Sequence, residues 1–267
     1  MTAPRFFITG RLVPVLAESG GPALLTEGAH VAVPLKDADL HHATSVARIH
    51  TGELISVVDA DGVVWSVEVT EVAPTGLRGT IRGRSAPNVR PRVALFQGIA
   101  KGPKMDRVVE QAVELGVDTI VPVITERTVV RLDPVKAVER GARWRRVAEA
   151  AAKQSRAPSV ARVADPVPLE SVLELLASQD AVLVPWEEAP VNASIRNALA
   201  ARGLPADARV AVVIGPEGGL SAAEVARIAE FGGIACSLGT TILRTETAAL
   251  VAVALVMDAL GQGNGSG

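Results

Sequence analysis

Cysteine is almost absent from this chain: Cys236 is the single one in 267 residues. One thiol excludes a disulfide framework and a multi-cysteine metal centre, and it points to a reducing compartment. Aromatic residues are scarce at 3%, while apolar residues make up 48%. The core must therefore be built from Val, Ala, Leu and Ile, a composition suited to a parallel sheet covered by helices on both faces. Long hydrophobic runs are missing too. The longest, Ala248–Met257, has ten residues and is too short to span a bilayer. At the N-terminus Arg11 interrupts the apolar stretch Phe6–Leu16, so the expectation is no signal peptide, no membrane partner and a cytoplasmic location. The common nucleotide loops are also lacking: there is no Gly-x-Gly-x-x-Gly, and no Lys-Ser/Thr follows a glycine-rich turn.

What is present divides the chain. Through residue 85 the pattern alternates. Glu53–Asp59 and Val63–Val69 read as strands joined through Asp61 and Gly62, a dipeptide suited to a tight hairpin. Leu77–Gly83 is a further strand, and Ala38–Ile49 the one helical stretch. A turn-rich linker, Ser85–Pro91, follows. The predicted N-terminal domain, residues 1–85, is a small β-barrel-like module.

From residue 91 to 260 strands and helices alternate, which predicts an α/β domain with a mainly parallel sheet. Strands are expected at Val93–Ile99, Thr119–Val123, Ala181–Trp186, Arg209–Ile214 and Ile234–Leu238. Helices are expected at Lys104–Leu115, with Met105, Val108, Ala112 and Leu115 inward, at Arg143–Ser155, near Ser194–Ala201, from a capping box at Ser221 and Glu224, and at Thr247–Leu260. The tail, residues 261–267, reads as disordered.

Three loops fall where α/β sheets bind ligands, beyond the carboxyl ends of strands. They are Gly215–Gly219, Leu238–Thr241 and Leu243–Thr247, and the strand end at Val184–Trp186 forms a fourth wall. Glycines 215, 218 and 219 allow sharp turns and close backbone approach. Arg244 and Glu246 stand beside a very apolar helix, where charges are paired or functional. A basic stripe runs from Arg127 to Arg162 with ten basic residues and three acids, Asp133, Glu139 and Glu149. Such a stripe neutralises phosphates, or is a solvated helix face. His41 and His42 are adjacent on a helix and point to different faces, so no metal is expected. Trp65 reads as core.

Val213–Ser221, Leu238 with Gly239, and Ile242–Ala248 together resemble the signature of the knotted SPOUT methyltransferases, and more narrowly of the family that methylates N3 of a uridine in 16S ribosomal RNA. Arg5–Phe7, His41, Val46–Arg48, Gly52–Glu53 and Asp59–Gly62 are similar to that family's PUA-like RNA-binding domain. Glu114–Val117, Glu126, Arg127 and Gln154–Arg156 match its central segments, whereas Gln111 stands where many members carry Lys. The resemblance implies a trefoil knot, a homodimer, 16S rRNA of the small ribosomal subunit as substrate and S-adenosyl-L-methionine as cofactor. Its implied cofactor residues are Val184, Gly215, Gly218, Leu238, Gly239, Leu243, Arg244, Thr245 and Ala248. Arg5, Arg48, Arg127 and Arg156 are the implied RNA contacts.

Uracil N3 carries a proton at neutral pH and attacks a methyl group only once that proton is lost. A carboxylate base and a cation beside the developing imidate meet that need, which makes Glu217, Glu246 and Arg244 the catalytic candidates. The alternatives are a ribose 2′-oxygen methylase of the same class, a ribosome-binding factor without catalysis, and a nucleotide-dependent oxidoreductase. The Leu243–Ala248 motif and the intact glycine loops weigh against the first two, and the missing dinucleotide fingerprint against the third.

Overall fold

A computed structural model of the chain describes residues 3–8, 10–15, 25–60, 62–73, 75–85, 90–130, 133–155, 157 and 159–261. The linker's centre, the tail after Gly261, and Arg131 and Arg156 of the basic stripe lie outside these residues. The chain divides into two compact units, Met1–Asn88 and Val89–Gly267.

The first unit is one six-stranded sheet in the order β1-β4-β5-β6-β3-β2. Its strands are β1 (Arg5–Phe7), β2 (Val13–Pro14), β3 (His30–Val33), β4 (Leu54–Val58), β5 (Val64–Ala73) and β6 (Gly76–Ser85). All neighbours run antiparallel except β1 on β4. On β5, Trp65, Val67 and Val69 are buried at a period of two, against Ile55, Val57, Leu77 and Ile81. This is the one-sided burial of an antiparallel sheet. Trp65 is a core residue, 3% exposed, and its indole N–H donates to Asp59 at 2.8 Å. The sequence pattern misses β1, β2 and β3 because two to four residues are too few to display a period.

The expected helix over 38–49 is instead a short α1 (Asp37–His41) followed by a π-helical turn, His42–Val46. The Thr44 hydroxyl bonds the Leu40 carbonyl at 2.9 Å, taking the acceptor an α-helix would offer to its N–H. Arg48 then adopts a left-handed φ of +49°, uncommon for a residue with a side chain.

The second unit is a wholly parallel sheet in the order β10-β8-β7-β12-β11-β13, with β9 also on β8. Its strands are β7 (Arg92–Gly98), β8 (Thr119–Ile124), β9 (Arg162–Val163), β10 (Val167–Pro168), β11 (Ala181–Pro185), β12 (Arg209–Ile214) and β13 (Gly233–Cys236). Helices α2 (Lys104–Glu114), α3 (Pro134–Ser155), α4 (Leu173–Ala177), α5 (Ile195–Ala200), α6 (Ala222–Glu230) and α7 (Thr245–Ala259) connect them. Successive residues Val210–Ile214 of β12 are all buried, as a central strand covered on both faces requires. Strand β12 inserts late in the chain between β7 and β11, so the carboxyl ends of these three strands stand side by side.

Two helices depart from the pattern. On α2 the buried set is Met105, Val108, Val109, Ala112 and Val113, while Leu115 is 37% exposed. Ten residues after Met105, Leu115 has rotated off the inward face. Helix α3 starts at Pro134, nine residues before the expected start, with the Asp133 carboxylate accepting the Lys136 N–H at 2.9 Å. Its early turns expose Val135 and Val138, so no apolar stripe announces them.

The basic stripe is more neutralised than its own three acids suggest. Lys136 pairs with Asp133 and Lys153 with Glu149, while Arg143 pairs with Asp106 and Arg145 with Asp165, acids from outside the segment. Arg140, Arg146 and Arg162 form no ion pair among the described residues.

Candidate active site

The loop after β12 is packed by its own backbone. A Cβ on Gly215 would stand 2.5 Å from the carbonyl carbon of Gly219, and one on Gly98 would stand 2.5 Å from the Pro216 nitrogen. Only hydrogen fits at these positions. The loop then enters α6 through the expected capping box: the Ser221 hydroxyl accepts the Glu224 N–H at 3.2 Å, and the Glu224 carboxylate accepts the Ser221 N–H at 2.9 Å. The other oxygen of Glu224 accepts the Glu126 N–H at 2.8 Å, tying the end of β8 to the same turn.

The first turn of α7 is fastened to this loop from inside. The Thr245 hydroxyl donates to the Gly215 carbonyl at 2.6 Å and accepts from the Gln97 amide at 2.9 Å. Gln97 is fully enclosed on β7, and its Nε2 also reaches the Gly98 carbonyl at 2.8 Å. The fastening links three segments far apart in sequence. Its signal in the sequence is Gln97 itself, a lone polar residue within an apolar strand, which pattern reading passes over.

Lys104, at the start of α2, gathers two of the three catalytic candidates. Its ammonium lies 3.1 Å from Glu217 and 3.9 Å from Glu246. The same Glu217 oxygen accepts the Lys101 N–H at 3.0 Å. Burial alone would raise the Glu217 carboxyl, but hydrogen bonds from the N–H groups of Lys101 and Glu217 itself and from Lys104 outweigh it and hold the pKa below 4.5, its ordinary value. Glu246 is 9% exposed, and its Oε2 is enclosed without a hydrogen bond. Arg244 is exposed at the N-cap of α7 and forms no ion pair with either glutamate. Neither Lys101 nor Lys104 stands out in the sequence, because a lysine opening a helix is ordinarily a solvated one.

On the other side of α7 lies a cavity at the carboxyl ends of β11 and β13. Leu238, Gly239, Leu243 and Ala248 line it as expected positions, together with Trp186, Glu187 and the hydroxyl residues Ser237, Thr240 and Thr241. Gly239 has φ +118°, and a Cβ there would meet no atom within 4 Å, so bare backbone borders open space. Val184, Gly215, Gly218, Arg244 and Thr245 are not on this lining. Val184 is core at 1% exposure, and Thr245 is engaged by Gly215. Gly218 is exposed but lies against Arg127: the guanidinium donates to its carbonyl at 2.8 Å, and a Cβ would stand 3.2 Å from the Arg127 Cβ.

A family model for the RNA methyltransferase domain matches residues 87–257, and one for the RNA methyltransferase PUA domain matches residues 35–81. The chain belongs to the RNA methyltransferase family. Among its relatives, ribosomal RNA small subunit methyltransferase E of Bacillus subtilis is 34% identical, over 82% of this chain and 86% of that one. The protein of the same name from Mycobacterium bovis is 35% identical, over 84% and 86%. A crystal structure of ribosomal RNA small subunit methyltransferase E from Neisseria gonorrhoeae, bound to S-adenosyl methionine, superposes with a TM-score of 0.72. It is 27% identical and is covered over 98% of its length by 96% of this chain. The RNA methyltransferase reading thus joins a PUA domain to an α/β catalytic domain, and no helix of the described residues is long and apolar enough to cross a membrane.

Proposed function

We propose that this enzyme transfers a methyl group from S-adenosyl-L-methionine to N3 of a uridine in 16S rRNA of the small ribosomal subunit, in the cytoplasm. The observation that carries the reading is the cavity bordered by Leu238, Gly239, Leu243 and Ala248, adjoining Arg244 in the chain, with Glu246 on the other side of the same helical turn. The residues fit the cofactor. Open space over the Gly239 backbone accepts a close-lying ligand, Leu238 and Leu243 offer apolar walls, and the Trp186 indole N–H is enclosed with no acceptor of its own. When bound, the cofactor supplies an electrophilic methyl group.

The protein's own groups do the rest. A carboxylate takes the N3 proton, and the Arg244 guanidinium stabilises the negative charge left on the ring. Glu246 is the carboxylate we assign as base, because Glu217 already accepts two hydrogen bonds on one oxygen while Glu246 Oε2 accepts none; Oε2 is enclosed beside Lys104, so this role requires that RNA binding uncover it. Arg5, Arg48, Arg127 and Arg156, with Arg140 and Arg146 of α3, grip the RNA backbone and its bases. The first unit supplies Arg5 and Arg48 to this grip, and the second supplies the remaining arginines together with the chemistry. The knot of the family is part of this proposal, supported by the tie from Gln97 and Gly215 to Thr245. So is a homodimer, supported by Ile242, 86% exposed beside the cavity, and by exposed Leu255 on α7.

The test is methyl transfer from labelled cofactor to small ribosomal subunits lacking the modification, followed by nucleoside mass spectrometry. The expected product is 3-methyluridine in 16S rRNA. Arg244→Ala and Glu246→Gln should each slow transfer by roughly 10²–10⁴ with cofactor affinity kept. Glu246→Gln should also steepen the rise of rate with pH. A 2′-O-methylated nucleoside, or wild-type rates in both variants, overturns the assignment.

A further inference from the structure

The cavity beside α7 has one charged side chain on its lining, Glu187. Among the described residues Glu187 forms no ion pair and no side-chain hydrogen bond. Its carboxylate rests against the bare α-carbon of Gly219: a Cβ there would stand 2.8 Å from Oε1, and Gly219 has φ +71°. The glycine loop therefore borders the cavity through Glu187. Trp186, the residue before it, belongs to the same lining and also packs against the apolar core of the sheet. An uncompensated carboxylate among neutral neighbours, with an aromatic residue beside it, suits a partly desolvated cation.

The cofactor and its product differ in a way that such a lining reads. The methyl donor bears a sulfonium; once the methyl leaves, the electron pair of the broken bond stays on sulfur and the product is a neutral thioether. We propose that Glu187, with Trp186, sets a preference of the cavity for the charged methyl donor over its neutral product. This rests on the cavity being the cofactor site. It gives the spent cofactor a weaker hold than the fresh one, so that exchange after each turnover runs in the productive direction.

Titration calorimetry on the full chain tests this with three probes: S-adenosylmethionine, S-adenosylhomocysteine and sinefungin, whose amine carries a positive charge near the sulfonium position. In the native protein the two cations should bind more tightly than the thioether, and the gap should narrow as salt rises. Glu187→Gln should weaken both cations by about two- to fivefold, the range of a solvent-accessible charge pair, and leave the thioether unchanged. Glu187→Asp should keep most of the preference. Equal weakening of all three probes would assign Glu187 to a shared neutral part of the ligand, and no change in any would remove it from binding. Either result overturns the proposal while the cofactor reading stands. Failure of the native protein to bind any probe sinks the cofactor reading, and this proposal with it.

Discussion

The two sides of the first turn of α7 are built on opposite principles. Towards α2 and the glycine loop, most polar groups close on one another: Thr245 with Gly215 and Gln97, and Lys104 between Glu217 and Glu246, while Gln97 Oε1 and Glu246 Oε2 are enclosed without a hydrogen bond. Towards β11 and β13, groups lack partners among the described residues: Gly239 faces empty space, Glu187 has no cation, and the enclosed Trp186 N–H has no acceptor. Satisfied groups in a low-dielectric setting give rigidity, whereas unsatisfied ones around a cavity give affinity for whatever satisfies them. One short segment of helix thus serves as an anchor on one face and a receptor wall on the other.

The largest effect should come from damaging the anchor in its backbone. Gly215→Val forces a side chain into the space of Gly219, and overpacking of this kind costs about 1–3 kcal/mol. Urea denaturation should read that loss, with cofactor affinity abolished as well. Gly239→Ala, on the open side, meets no atom and should lose stability only through its φ of +118°. If the two variants were equally unstable, the contrast between the faces would fail.

Lys104→Met should cost about 1–3 kcal/mol by leaving Glu246 enclosed without its cation, and Lys104→Arg should recover most of it. Acid sharpens this prediction. The Glu217 carboxyl is held below its ordinary pKa, so its stabilising contribution is complete above pH 4.5 and is lost as pH falls through the lowered folded value. The gap between native and Lys104→Met proteins should therefore shrink on acidification. A gap that is constant from neutral pH to the acid limit would show that Lys104 acts by packing alone.

Thr245→Val removes one donor from Gly215 and one acceptor from Gln97 and should cost about 1–2 kcal/mol, read as a lower Tm. The smallest effect belongs to Cys236. Burial pushes its thiol up to about 12, so it should stay unreactive to alkylating reagents at pH 8 in the folded protein and react on unfolding.

The sequence made some of this legible and hid the rest for physical reasons. Much of the strand and helix order in the second unit was readable, because central strands are uniformly apolar and Ser221 with Glu224 marks a helix start, but β9, β10 and α4 were missed, being too short to display a period. The loops that meet around α7 were readable as glycine and charge clusters at strand ends. Their division of labour was not. Gly215 and Gly218 look equally suited to approach a ligand, yet Gly215 packs on its own loop, whereas Gly218 is exposed with Arg127 against one side. Glu217 and Glu246 look like free acids until Lys104 arrives from a helix more than a hundred residues earlier. Spacing along a chain cannot show which neighbour fills a gap. The sequence also undercounted the acids facing α3, since Asp106 and Asp165 come from other segments.

The placement of β12 carries a consequence for synthesis of the chain. Strand β7 finds β8 soon after it is made, but its other edge pairs with residues 209–214. At about 5–20 residues per second on a ribosome, that edge waits roughly 5–20 s for its partner. Until then the nascent chain presents an apolar strand with unfilled hydrogen bonds, the usual template for unwanted association. Final assembly of the α/β unit is thereby a late, non-local event, and a nascent chain stalled before residue 209 should be held by chaperones rather than folded.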